Sequence, residues 1–169
     1  MKPMTKGVLV AIIHVGLVAS LGAKFLWERA TFPRVWVRAV PYDPQLPIRG
    51  RYLRLQVLID DQDVHFPSSN ENWASSGGTP VTLSVQSNRL IATVVPETST
   101  LHVTPRSDST YALNQDVAFF IPEHVADPSR RPAGEQLWIE STIPKQGPPR
   151  PIRLGVRRGD GAIVPLPID

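Results

Sequence analysis

Asp61, Asp63 and His65 stand at alternate positions in the chain. In an extended segment that spacing sets two carboxylates and an imidazole on one side. Oxygen and imidazole ligands of this kind suit a divalent cation. No second ligand cluster fixes the geometry, and Asp60-Asp61-Gln62-Asp63 is also an ordinary solvated strand end, so no metal is expected. Hydrolysis needs a nucleophile beside a base. Lys145 is the only lysine beyond residue 24, and Ser68 and Ser69 are the loop hydroxyls considered with it. His102 and His124 are far apart in sequence, and nothing in the sequence brings them together. No catalytic residue, cofactor site or complete metal site emerges from these residues.

Two other constellations carry contact chemistry. Arg49, Arg51 and Arg54 surround Tyr52, so a flat ring with a polar tip sits among planar guanidinium groups. Further along, Lys145, Arg150, Arg153, Arg157 and Arg158 form a basic run in which Asp160 is the one opposing charge. Arg153 and Arg157 alternate with Ile152, Leu154 and Val156, which turns both outward from a strand. Such a run is an ordinary solvated strand face or a dock for anionic lipid or an acidic partner.

The elements that must hold these residues follow from composition and periodicity. The chain has 169 residues, enough for one domain and an appendage. It has no cysteine, which excludes disulfides, thiolate chemistry and cysteine-bound zinc. Eighteen prolines against eleven glycines, nearly all after residue 30, leave little room for long helices in that part. The net charge of +3 comes without clustered Lys/Arg and interleaved aromatics, so no nucleic-acid surface is expected.

Residues 1–6 form a short basic N-terminus, and Gly7 to Trp27 form an apolar run containing only His14 and Lys24 as ionisable groups. As a helix this run spans roughly 31 Å, the thickness of a bilayer's hydrocarbon core. It is longer than the apolar part of a usual signal peptide, and Ala19 and Ala23 have Leu17 and Leu21 two residues before them. The reading is therefore an uncleaved single-pass anchor. Lys24, Arg29, Arg34 and Arg38 outnumber Lys2 and Lys6, but long domains cross largely regardless of charge. The expected topology is N-inside in a bacterial inner membrane, with residues 28–169 as a periplasmic domain. For His14 the plain reading is a neutral ring facing a partner helix or bonded to a carbonyl one turn back. Gly16 and Ser20 would let a second helix approach closely.

Beyond the anchor, period-two alternation marks strands at Arg34–Val40, Arg51–Asp60, Val81–Gln86, Leu90–Val95, Leu101–Thr104, Val117–Ile121, Gln136–Ile143 and Ile152–Arg158. A last strand at Ala162–Leu166 follows a tight turn at Arg158–Gly161. Residues 61–79 read as a long loop, and Pro122–Pro128 as one helical turn. This is an all-β domain, a small sandwich or barrel.

Tyr42-Asp43-Pro44-Gln45-Leu46-Pro47-Ile48-Arg49-Gly50-Arg51-Tyr52-Leu53-Arg54-Leu55-Gln56-Val57 resembles the signature of the GDYXXLXY family, shortly after a membrane helix as in that family. Gly50, Tyr52 and Leu55 match; the family's Asp is Arg51 here, and its final Tyr is Val57. Ala118-Phe119-Phe120-Ile121-Pro122-Glu123 is similar to a second family segment. The resemblance implies a membrane-anchored protein without an assigned activity, often encoded beside a polytopic membrane protein. The Asp-to-Arg change keeps any role of that Asp from being carried over, but Asp43, Arg49, Gly50, Arg51, Tyr52, Arg54 and Leu55 stand as the motif surface. The loop-glycine-strand order is also distantly similar to the β-domain of membrane signal peptidases, which use a Ser–Lys pair. The functional expectation is a non-catalytic accessory subunit of a membrane assembly without cofactor; the alternative is a membrane-proximal, hydrolase-like or metal-assisted enzyme.

Overall fold

Prolines mark several ends of the regular elements: Pro3 opens the helix, and Pro41, Pro105 and Pro165 close strands. The computed structural model describes residues 3–42, 52–67, 78–96, 99–122 and 124–168, and forms two units, Met1–Phe32 and Pro33–Asp169. Of the motif residues, Asp43, Arg49, Gly50 and Arg51 lie outside the described residues, as do Ser68, Ser69 and Glu123.

In the first unit, α1 runs Pro3–Thr31. It extends past both ends of the Gly7–Trp27 run, and the second unit begins at Pro33. Proline suits the first helical position, where its missing N–H is not needed. Pro33 disfavours helical backbone at Phe32, and the Phe32 N–H closes the last turn on the Glu28 carbonyl at 2.9 Å. Lys6–Thr31, 26 residues, is long and apolar enough to cross a membrane. His14 Nδ1 lies 2.8 Å from the Val10 carbonyl, one turn back, which is the plain arrangement expected for it. The Ser20 hydroxyl donates to the Leu17 carbonyl at 2.8 Å.

The second unit is a single curled sheet, a half-barrel. Its strands are β1 (Arg34–Pro41), β2 (Tyr52–Asp60), β3 (Val64–His65), β4 (Thr79–Gln86), β5 (Arg89–Val94), β6 (His102–Pro105), β7 (Thr110–Leu113), β8 (Val117–Phe120), β9 (Glu135–Thr142), β10 (Arg150–Arg158) and β11 (Val164–Pro165). Their order is β11-β10-β9-β1-β2-β7-β6-β4-β5-β3, with β8 also on β2. One continuous sheet replaces the two packed sheets of a sandwich, and the barrel-like half of the expectation stands. Two strands carry the sheet round by changing partners along their length. β2 pairs with β8 from Tyr52 to Leu55 and with β7 from Leu58 to Asp60. β4 pairs with β6 at Thr79 and Pro80 and with β5 from Val81 onward.

Alternation fixes the register, because a slip by one residue would turn every apolar side chain to the wrong face. Val35, Val37 and Ala39 of β1 and Leu55, Val57 and Ile59 of β2 are buried as their spacing demands. They meet Leu137, Ile139 and Leu154 in one core. The remaining differences are local. β7 is absent from the alternation reading because Thr110–Leu113 is four residues long and mixed in polarity. Ser109, at φ 57°, makes the turn into it, and the Arg106 N–H donates to the Thr110 carbonyl at 2.8 Å. Residues expected as a loop from 61 begin with a 3-10 turn, Asp61–Asp63, and then β3, which lies parallel to β5. In the segment expected as a helical turn, the Val125 N–H donates to the Pro122 carbonyl at 3.2 Å, and residues 124–128 form turn and bend rather than helix.

Candidate functional site: two arginine-bearing surfaces

The motif divides between core and surface because strand neighbours point opposite ways. Leu55 is fully buried in the core. Tyr52 and Arg54 stand on the other face. Tyr52 is directly opposite Phe120 of β8, and their rings lie 5.9 Å apart in a tilted pair. Arg54 grips Asp116 with two donors, Nε to Oδ2 at 2.6 Å and Nη2 to Oδ1 at 3.0 Å. The same guanidinium lies 5.0 Å over the Tyr42 ring, and the Tyr42 N–H donates to the Arg54 carbonyl at 2.9 Å. The hydrogen bond to Asp116 raises the Arg54 pKa against a smaller opposing effect of burial. The Arg54 hydrogen bond likewise holds the Asp116 carboxyl below the usual carboxylate range. Arg54 is therefore spoken for, and what this edge exposes is aromatic: Phe120 is 75% exposed and Tyr42 52%.

The C-terminal basic run has a different character. Arg153 and Arg157 do face outward from β10, as their alternation implies. Sequence proximity credited this run with Asp160 alone, but β9 lies alongside and supplies Glu135 and Glu140. Arg153 donates to Glu140, and Arg158 to Glu135 at 2.7 Å. Arg131 also reaches Glu135, at 3.6 Å. Arg153 stacks 5.4 Å over the Trp36 ring and Arg157 5.5 Å over Trp138. Arg150 is half-buried where β10 begins. The free positive patch expected from Arg150, Arg153, Arg157 and Arg158 is instead a largely neutralised row of ion pairs and ring stacks.

Gly155 makes that row possible. A Cβ there would sit 2.7 Å from the Trp36 ring and 2.8 Å from Ile163. Trp36 thus reaches across β9 and packs against the bare backbone of β10. Sequence reasoning missed this arrangement. Its signal was there in part: Trp36 and Trp138 occupy outward parity on their strands, with a glycine on a third.

The metal candidates part company. Asp61–Asp63 is a 3-10 turn rather than extended chain, so the alternate spacing does not align three ligands. Asp63 is buried and accepts from Arg89, Nη2 to Oδ2 at 2.9 Å, while Asp61 and His65 are exposed. No group of three His, Asp or Glu placed to hold a metal occurs among the described residues. Burial and the neighbouring Asp61 charge raise the pKa of Tyr111, whose ring packs 6.2 Å from Phe66. Ser99, Thr82 and Thr100 line one cleft with Lys145. Ser99 donates to the Val81 carbonyl at 2.6 Å and accepts from the Leu101 N–H at 3.1 Å, so its oxygen is committed to the backbone. His102 is tied to Asn114, whose side-chain oxygen accepts the His102 N–H at 2.9 Å. Compared with known protein families, with curated proteins and with solved structures, the chain matches none.

Proposed function

We propose that this chain is a single-pass, membrane-anchored β-domain of a bacterial inner membrane. Its domain lies in the periplasm and acts as a non-catalytic accessory subunit of a polytopic membrane protein. The observation that carries the reading is the aromatic edge at β2 and β8. Phe120, three-quarters exposed, stands beside Tyr52 on a strand whose only partner among the described residues is β2. Exposed aromatic side chains at a strand edge suit the buried anchors of a protein interface. The apolar helix supports the anchor, and the likeness of Gly50, Tyr52 and Leu55 to the GDYXXLXY signature supports membership of that family. The arginine row is less suited to anionic lipid than its sequence implies, since its charges are already paired.

A photo-crosslinking side chain at Phe120 tests the reading in intact cells. The expected product is one adduct to a polytopic membrane protein, lost on Tyr52→Ala while the protein level holds. A monomer without adduct, in cells expressing it from its own locus, sinks the subunit reading. A C-terminal alkaline phosphatase fusion tests the orientation: it is active with a periplasmic domain and inactive with a cytoplasmic one.

A further inference from the structure

A cleft of about 460 Å³ opens on the outer face of the sheet, between β1, β2, β9 and β10 and the two-residue β4–β5 turn. Its size falls within the range of small-molecule sites. Ser87 and Asn88 both have positive φ, 48° and 61°, the geometry that closes a two-residue hairpin. That turn delivers Arg89 to the cleft wall, where Asp63 holds it. Trp36 and Trp138 supply flat apolar lining.

Two lining side chains carry donors that are shut off from water and have no acceptor among the described residues: Trp138 Nε1 and Arg157 Nε. Buried donors nearly always have partners, and leaving one without is costly. The two belong to side chains already stacked on each other. The other lining cations are engaged, Arg38 with Asp108 at 3.8 Å and Arg89 with Asp63 at 2.9 Å. Among the described residues Arg157 pairs with Asp160 alone, 4.0 Å away and fully exposed, so it is the least firmly held of the lining cations. The exposed Asp60 carboxylate at the rim opposes a ligand of high negative charge.

We infer that this cleft binds a small monocarboxylate with a flat ring, its two oxygens accepting from Trp138 Nε1 and Arg157 Nε and its ring lying on the tryptophans. A carboxylate offers two oxygens to two donors, one of them cationic, and suits them better than a single carbonyl does. This site is separate from the Phe120 edge and does not depend on the subunit reading.

Benzoate is the probe, titrated against the full chain in lipid nanodiscs, with indole N–H resonances followed by NMR and benzamide as the neutral counterpart. The expected result is a saturable shift of the Trp138 indole signal with benzoate, at least about tenfold weaker with benzamide, as loss of a charged partner implies. Trp27, in the helix, stays unmoved. Trp138→Phe keeps the ring and removes the donor, and weakens benzoate binding several-fold, read from the Trp36 signal. Arg157→Gln does the same; should it perturb the fold, Trp138→Phe decides alone. No saturable shift up to about tenfold above millimolar probe, the weak end for a specific site, overturns the inference. So does equal response to benzamide, or undiminished binding by Trp138→Phe.

Discussion

Arg54 and Arg153 stand on outward faces of their strands, each paired to a carboxylate and each over an aromatic ring. From sequence, both belong to basic surfaces. In the structure the two regions differ in what surrounds the pair. Around Arg153 each ring is engaged by the protein, Trp36 with Gly155 and Trp138 with Arg157, and what remains of them lines the cleft. Around Arg54 the rings are left over, with Phe120 and Tyr42 more than half exposed. Charge therefore does not distinguish a contact surface here, because strand neighbours neutralise it on both sides. Uncovered aromatic area does, which is the rarer and more informative feature of a folded surface.

The comparison is broken most severely from beneath. Leu55 is the motif residue that faces the core, at full burial. Leu55→Ala is expected to cost about 2–5 kcal/mol, the range for emptying a packed core site. Tyr52→Ala, three positions away on the surface, costs about 1 kcal/mol, mostly its ring contact with Phe120. Denaturant unfolding of the two variants checks this. Equal losses would mean that Tyr52 is structural and that the edge is no free surface.

Next in size is Gly155→Ala. The added methyl meets the Trp36 ring and Ile163 below 3 Å, so the ring must leave the backbone it covers. A loss of about 1–3 kcal/mol follows from overpacking. Adding Trp36→Ala should recover part of it, a coupling of about 0.5–3 kcal/mol in a double-mutant cycle. Additive losses would show that the Trp36–Gly155 contact does not organise the arginine row.

What the sequence made legible, and what it hid, follows the same division. Local periodicity gave the helix, β1, β2, β9 and β10, because each alternates cleanly and one face is buried. Val35, Val37, Leu55 and Val57 show it. It missed β7, where Thr110, Tyr111, Ala112 and Leu113 offer too few residues to define a period. It offered Asp61, Asp63 and His65 only as candidates, and it showed neither the local 3-10 turn nor the Arg89 partner of Asp63, which stands on a strand 26 positions on. The arginine row failed for that reason too: Glu135 and Glu140 meet Arg158 and Arg153 only through the register of β9 against β10. Alternation says which face a side chain takes and nothing about which strand lies beside it.

The smallest effect separates the two regions by pH. The hydrogen bond from Arg54 lowers the Asp116 pKa in the folded chain, with burial opposing it. An unfolded aspartate titrates near 4, so as pH falls the unfolded chain takes up this proton first. The contribution of Asp116 is thus fully present above about pH 4 and lost as pH falls through its lowered folded value. Asp116→Asn should lower the unfolding midpoint at pH 7 and converge with the parent chain in strong acid. Asp108 is lowered as well, first by the Thr110 hydroxyl that donates to it at 2.6 Å, so part of the acid limb persists in Asp116→Asn. Asp108→Asn in the same chain should remove that part. Thermal unfolding between pH 2 and 7 reads both. A pH-independent gap between Asp116→Asn and the parent would mean that the carboxylate's charge does not hold Arg54, and that the guanidinium is available at the aromatic edge after all.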